Sequence, residues 1–262
     1  MKGSNIFFEE FNEIKKRILP WLYIFILLFI FFFGIGFKKI SLFEKNFFLP
    51  WPTADSISVQ FFERIQRDLL PKNVQLIALN PITAFLTQAT VSLILSFIFT
   101  FPYFLFKIFG YILPVLYENE KKYIAKILIP SFILFLFGCV FAYFFLTPVT
   151  FKILYSFTSS MGVIPFFELN NFLTLVLGLM LATGILFLTP IFMALLSYFG
   201  LVSPGFWKEK WQIAFFVFIV ISAIITPDGS GITQLILSFI LTGLYFLGYI
   251  LSKAFKKVEV KK

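Results

Sequence analysis

Six stretches of the chain contain no Asp, Glu, Lys or Arg and consist mainly of apolar residues. A helix needs about 20 residues, at a rise of about 1.5 Å each, to cross the hydrocarbon core of a bilayer. Each stretch accommodates one such helix, so the pattern predicts an all-α integral membrane protein with a single membrane domain over residues 1–262. The predicted spans are 18–37, 84–106, 127–149, 172–196, 211–226 and 232–251.

The charged residues lie between these spans and predict their orientation. An even number of spans puts both termini on one side, together with the connections 107–126 and 197–210. This side carries 15 of the 22 Lys and Arg residues, and short cytoplasmic segments are enriched in Lys and Arg. We therefore predict that both termini are cytoplasmic, in the inner or plasma membrane of a cell, with the long loop 38–83 outside.

Composition removes several classes of function. Charged residues make up 13% of the chain, against about 25% in a soluble domain. The lysines behind the net charge of +9 flank apolar runs, which favours contact with anionic lipid over nucleic-acid binding. The chain has no His and a single Cys, Cys139, so His-dependent haem, zinc and serine-nucleophile sites and an internal disulfide are excluded. No cofactor is predicted.

Prolines predict that the helices are bent. Pro102 and Pro190 lie inside the second and fourth spans, where each removes a backbone donor, whereas Pro130 and Pro148 lie near the ends of the third. These positions predict a kinked and cupped bundle. The fifth span covers roughly 24 Å of a roughly 30 Å core, which predicts local thinning of the bilayer.

Two further helices are predicted outside the membrane. Apolar residues recur at helical spacing in the external loop and again near the amino terminus, which is typical of amphipathic helices on a membrane surface. Their apolar faces consist of Ile57, Phe61, Phe62, Ile65 and Leu69 in the loop, and of Phe7, Phe11, Ile14 and Ile18 at the amino terminus.

The cytoplasmic loop between the second and third spans contains two carboxylates, in the sequence PVLYENEKKYIAK at 114–126. At helical spacing Glu118 meets Lys121 and Lys122, whereas Glu120 meets no lysine. Glu120 is therefore either a solvated loop charge or a docking point for a cation. Arginine suits the second role, because its planar fork binds a carboxylate through two hydrogen bonds.

Four segments of the chain are similar to one known family: SLILSFIFTFPYFLFKIFGYILPVLYENEKK, the following FGCVFAYFFLTPVTF, the amino-terminal EEFNEIKKR and the TPD turn between the last two spans. They resemble TatC, the multispanning receptor of the twin-arginine protein translocase. The resemblance covers essentially the whole chain. It implies a non-enzymatic protein that binds twin-arginine signal peptides, recruits the single-span partners TatA and TatB, self-associates, and moves folded precursors with the proton-motive force.

The resemblance also assigns the signal-peptide site. Glu120 matches the loop glutamate that holds an arginine of the signal, Glu13 matches the amino-terminal glutamate, and Lys15 matches the basic position after it. Tyr111 and Pro114 match the aromatic residue and the proline before the loop. Glu10 is assigned an auxiliary role. Two carboxylates distinguish Arg-Arg from Lys-Lys by geometry, which charge alone does not.

Two places depart from the pattern of the resembled family. Relatives often carry a glutamate just before the proline of the fourth span, where this chain has Leu188 and Thr189, so partner docking relies on other groups. Near the last turn, Asp228 is interpreted as a turn former before Gly229. The candidate contacts to a partner helix are Thr226, Asp228, Gln234 and Pro190.

A small-solute transporter or channel is the alternative from another class. Ion-coupled carriers usually need an ionisable residue near the midplane, and the six spans as drawn contain none. An intramembrane enzyme would need an Asp pair or a Ser-Lys dyad, and those spans contain neither. The sequence therefore favours the translocase subunit.

Overall fold

The computed structural model describes residues 2–42, 45–53, 55–70, 74–112, 121–162 and 166–254. The chain divides into two units. The first contains 1–70, 76–132 and 167–174, and the second contains 71–75, 133–166 and 175–262.

Helices make up most of the described chain, and the remaining strands form two small sheets of two strands each. In chain order the elements are α1 (Lys2–Gly34), β1 (Ile35–Leu42), β2 (Lys45–Pro52), α2 (Ile57–Leu69), β3 (Gln75–Ile77), α3 (Pro81–Ile112), α4 (Lys121–Phe141), a π-helical turn (Ala142–Leu146), α5 (Thr147–Ser160), β4 (Phe166–Glu168), α6 (Leu169–Leu186), α7 (Thr189–Tyr198), α8 (Pro204–Glu209), α9 (Trp211–Ile225) and α10 (Ile232–Ala254). β1 pairs with β2, and β3 pairs with β4.

The apolar helices coincide with the predicted spans. Among the described residues, four helical stretches are long and apolar enough to cross a membrane, and two shorter apolar helices accompany them. The long stretches are Pro81–Ile108, Ile127–Ser160, Leu169–Tyr198 and Ile232–Ala254, and the shorter ones are Ile18–Gly34 and Trp211–Ile225. All six predicted spans thus fall on apolar helices. That all six cross the membrane stays a prediction.

The first span was predicted to end too late. α1 ends at Gly34, and the next residues form β1, which runs antiparallel to β2 from Ile35 opposite Pro52. The prediction that this span continues to Phe37 is wrong, because hydropathy does not separate the last apolar turn of a helix from the start of an apolar strand. A Cβ at Gly36 would collide with the carbonyl oxygen of Asp55, so glycine lets β1 approach this backbone closely.

Of the two amphipathic helices predicted outside the membrane, one is a separate helix in the structure and the other is not. The external one is confirmed as helix α2, which buries Ile65 and Leu69 and exposes Glu63 and Arg64; its position on a membrane surface stays a prediction. The amino-terminal one does not form a separate helix, since α1 is continuous from Lys2 to Gly34 through Pro20. A proline inside an apolar helix bends it without necessarily ending it, because neighbouring groups can satisfy the freed carbonyl.

In the first unit α1 packs on α3. The Trp21 ring lies 4.8 Å from that of Phe104, measured between ring centroids. At the other end of the pair, Nε2 of Gln88 donates hydrogen bonds to the carbonyl oxygen of Phe33 at 2.8 Å and to Oγ of Ser56 at 3.0 Å. Gln88 thereby ties the end of α1 and the residue before α2 to α3. The order of these contacts makes α1 and α3 antiparallel.

In the second unit, glycines allow two close helix contacts. A Cβ at Gly138 of α4 would lie 2.8 Å from Cα of Gly184 in α6, and one at Gly248 of α10 would lie 2.9 Å from Cα of Pro190 in α7. Helices in membranes associate through such small residues, because lipid tails are as apolar as the side chains and leave close packing as the main attraction. These glycines set the helix spacing within the unit.

The third and fourth spans are irregular where their prolines lie. The third was predicted to end near Pro148, which is wrong: this proline opens α5 directly after the π-helical turn, and the helical path continues to Ser160. Pro130 lies near the start of the apolar stretch Ile127–Ser160, as predicted, although helix α4 itself begins earlier, at Lys121. A π-helical turn shifts the hydrogen-bond register by one residue, and this shift accommodates a proline within a continuous helical path.

The fourth span is interrupted between α6 and α7. Pro190 has no N–H to donate to the carbonyl oxygen of Leu186, four residues earlier. Oγ1 of Thr189 donates to that oxygen instead, at 2.6 Å. The predicted effect of Pro190 on this helix is confirmed, and Thr189 satisfies the carbonyl group that the proline leaves free.

Candidate functional site

The residues predicted to bind a signal peptide lie on two helices and the loop after one of them. Helix α1 carries Glu10, Glu13 and Lys15, and Lys15 is exposed. Tyr111 belongs to the last turn of α3. Glu120 and Pro114 lie outside the described residues.

The antiparallel pairing of α1 and α3 determines which of these backbone positions lie at the same end. Phe33 is level with Gln88, and Trp21 is level with Phe104. In an antiparallel pair, the start of one helix and the end of the other are at the same end of the pair. The start of α1, which carries Glu13, and the end of α3, which carries Tyr111 and precedes the loop with Glu120 in the sequence, are therefore at the same end.

A second polar group lies at the turn between α9 and α10. Asp228 is 2% exposed, and its Oδ2 accepts hydrogen bonds from Oγ of Ser230 at 2.6 Å and from Oγ1 of Thr233 at 2.8 Å. Oγ of Ser230 also accepts from the backbone N–H of Ile232 at 3.2 Å. Asp228 is thus a turn residue, as interpreted, and it also anchors the first turn of α10. Ser230 and Thr233 were not among the predicted residues, although short polar residues at the start of an apolar helix are a known start signal.

The other candidate partner contacts are bonded within the chain. Thr226 is buried, and its Oγ1 donates to the carbonyl oxygen of Ser222 at 2.8 Å. Nε2 of Gln234 donates to the carbonyl oxygen of Ile219 at 3.2 Å and so links α10 to α9. Pro190 is buried next to Gly248. Their role toward a partner stays a prediction.

The hydrogen bond between Thr233 and Asp228 gives a stability prediction. We expect Thr233→Val, which keeps the shape but removes the donor, to lower the free energy of unfolding by about 1.5–3 kcal/mol, because hydrogen bonds to charged groups contribute about that much. The free energy is measured by titrating SDS into mixed micelles of the purified protein.

Thr242→Val is the matched control for this prediction. Oγ1 of Thr242 donates to the carbonyl oxygen of Ser238 at 2.7 Å, within the same helix α10, and involves no charged group. We expect this control to cost less than about 1 kcal/mol. Equal losses for the two variants would contradict the anchoring role of Asp228.

A further group of residues, which was not predicted, fixes the connection between α7 and α9. The hydroxyl of Tyr245 in α10 donates to the carbonyl oxygen of Trp207 in α8 at 2.7 Å. Nε1 of Trp207 donates to Oγ of Ser197 in α7 at 2.9 Å. Short helix α8 is thereby attached to both neighbouring helices. Tyr and Trp are enriched at membrane interfaces because one end of each side chain is apolar and the other polar, which is the signal available in the sequence.

The model of the family described as TatC, Sec-independent protein translocase protein, matches residues 9–239. The chain belongs to the TatC family. Similar proteins include TatC of Aquifex aeolicus, 34% identical over 77% of this chain and 85% of that protein, and TatC of Cenarchaeum symbiosum, 27% identical over 97% of this chain and 96% of that protein. The crystal structure of the twin-arginine translocase receptor TatC superposes with a TM-score of 0.72 at 26% identity, covering 95% of this chain and 100% of that one.

Membership of the TatC family establishes the coarse function. The chain is a subunit of a Sec-independent protein translocase and belongs to a family of multi-pass membrane proteins, and the family is not one of enzymes. The match from residue 9 includes Glu10, Glu13 and Lys15 of α1, and it extends through the turn at Asp228 to Gln234. Both groups of candidate residues therefore belong to the TatC-like part of the chain.

Proposed function

We propose that this TatC-family chain binds the twin-arginine signal peptides of folded precursor proteins, with Glu120 and Glu13 as the carboxylates that receive the two arginines. The observation that carries the proposal is the antiparallel pairing of α1 and α3, together with membership of the translocase family. The pairing supports the proposal because the start of α1, with Glu13, and the end of α3, which precedes Glu120 in the sequence, are at the same end of an antiparallel pair.

The chemistry of the two carboxylates supports selection of arginine over lysine. A guanidinium group presents several N–H donors in a fixed plane and binds a carboxylate through two parallel hydrogen bonds, whereas an ammonium group acts as a point charge. An exposed carboxylate gains only about 0–1 kcal/mol from a cation, so the site needs partial removal of water around the bound pair. A peptide with two consecutive arginines meets this need when it covers both carboxylates.

The orientation that follows from this proposal has all six apolar helices spanning the cell membrane and both termini in the cytoplasm. The excess of Lys and Arg on the predicted cytoplasmic side supports it. In this orientation Glu13, Lys15, Tyr111, Pro114 and the loop with Glu120 face the compartment in which precursors are made and folded.

We also propose that single-span partners of the TatA and TatB type pack on α9 and α10. The chain recruits these partners for export that is driven by the proton-motive force. Side chains of α9 support this assignment, since large apolar residues of this short helix remain exposed: Ile213, Phe216 and Ile224 are 60%, 65% and 80% exposed. The internal hydrogen bonds of Thr226 and Gln234 favour apolar packing over polar docking at the turn. Self-association through the same kind of surface belongs to this proposal.

The experiment that tests signal-peptide binding compares two precursors that differ only in Arg-Arg against Lys-Lys. Each carries a photo-crosslinking group beside the pair and is incubated with the purified full-length chain in nanodiscs. We expect at least about tenfold less crosslinking for the Lys-Lys precursor, because the charge is unchanged and only the bidentate geometry is lost. Equal crosslinking of the two precursors would contradict the proposed function.

A further inference from the structure

We propose that the rim formed by α8 and the adjoining ends of α9 and α10 is a binding site for the headgroup of an anionic phospholipid. Three lysines line it: Lys208, Lys210 and Lys253. All three are exposed, and none of them forms an ion pair with another residue in the part of the chain that the structure describes. The inference does not depend on signal-peptide binding.

Helix α8 is held in a fixed place on this rim. The hydrogen bonds from Tyr245 to the carbonyl of Trp207 and from Trp207 to Ser197 connect it to α10 and α7. Its start is capped by Ser203, whose Oγ accepts from the N–H of Phe206 at 3.3 Å. Because α8 cannot turn away without breaking these contacts, Lys208, the residue after Trp207, keeps its place relative to α10.

The third lysine, Lys253, belongs to the last turn of α10, the helix whose Tyr245 bonds to α8. Lys253 lies two helical turns beyond Tyr245, a rise of about 12 Å. Its Nζ lies 4.6 Å from the centroid of the Tyr249 ring, which directs the ammonium group along the helix surface. Glu209 is the one acidic residue on this rim among the described residues, so the three lysines leave it with net positive charge.

Aromatic side chains give the rim the character of a membrane interface. Trp211 is 39% exposed and lies 6.1 Å from Phe246 between ring centroids, and Phe206 is 46% exposed. Tryptophans locate at the level of lipid headgroups, and lysines beside them extend their ammonium groups toward phosphate. Fixed positive charge at headgroup depth is complementary to an anionic phospholipid and gives no comparable attraction for a zwitterionic one.

The test measures quenching of tryptophan fluorescence by brominated lipid in nanodiscs that contain the full-length chain. A Trp21→Phe/Trp51→Phe background leaves Trp207 and Trp211 as the reporters. Trp21→Phe keeps an aromatic ring beside Phe104 and removes an indole N–H that has no acceptor among the described residues, and Trp51 is 56% exposed. We expect brominated phosphatidylglycerol to quench more strongly than brominated phosphatidylcholine at equal bromine content, and high salt to reduce the difference.

Three sets of substitutions decide whether the rim lysines cause this difference. Changing all three rim lysines to Gln is expected to weaken the apparent affinity for phosphatidylglycerol by at least about tenfold, whereas changing all three to Arg preserves it. Lys107, Lys126 and Lys152, changed to Gln together, form the charge-matched control and should leave the quenching unchanged. Equal quenching by the two lipids in the parent protein, or an unchanged difference in the rim Gln variant, would overturn the proposal.

Discussion

The Glu120→Gln protein is expected to lose binding of a twin-arginine signal peptide while it retains its fold. The substitution keeps the size of the side chain and removes the charge, so the bidentate pair with a guanidinium group is lost. Charge-assisted hydrogen bonds of this kind contribute about 1.5–3 kcal/mol each, which corresponds to a roughly tenfold to more than hundredfold weaker complex. Binding is measured with a fluorescent Arg-Arg peptide and the full-length chain in nanodiscs.

Glu118→Gln provides the matched control for this result. Glu118 lies two residues from Glu120 in the same loop, and Glu118→Gln removes the same single negative charge from the loop as Glu120→Gln does. Because Lys121 and Lys122 follow Glu118 at helical spacing, we expect this variant to bind the peptide within about threefold of the parent. A similar loss in both variants would show that the peptide senses only the charge of the loop.

The helical part of the fold was predictable because hydropathy carries most of the information in a membrane protein. Every predicted span overlaps an apolar helix, because backbone groups in lipid must be hydrogen-bonded within the protein and few structures other than helices achieve this. Hydropathy does not show which backbone carbonyl each N–H group of a helix bonds to. The π-helical turn at Ala142–Leu146 and the hydroxyl of Thr189 that bonds to Leu186 were therefore not predictable from the positions of Pro148 and Pro190 alone.

The candidate sites were predictable to different degrees. The identities of Glu13 and Glu120 came from resemblance to a family, and the sequence had no means of placing α1 beside α3, which depends on contacts such as Trp21 with Phe104. At the turn between α9 and α10, Asp228 was recognised as a turn residue. Its bond to Thr233 was not, because it joins residues on either side of a helix start.

The packing of α4 on α6 gives a second prediction about stability, one that concerns the distance between two helices. A Cβ at Gly138 would lie 2.8 Å from Cα of Gly184 and 2.8 Å from Cγ of Phe187. The first of these atoms belongs to the backbone, so the contact is relieved only if the two helices move apart. Phe187 also stacks on Phe141, with 5.6 Å between ring centroids, and this restricts its own movement.

We therefore expect Gly138→Ala to lower the free energy of unfolding by about 1–3 kcal/mol, the usual cost of overpacking, even though alanine favours helix by about 1 kcal/mol over glycine. Gly178→Ala in α6 is the matched control, since a Cβ there has no atom within 4 Å, and it should be neutral or stabilising. Both values come from SDS titration in mixed micelles. A stabilised Gly138→Ala protein would mean that the distance between α4 and α6 is not set by this glycine pair, and the close approach would then have to depend on the surrounding phenylalanines.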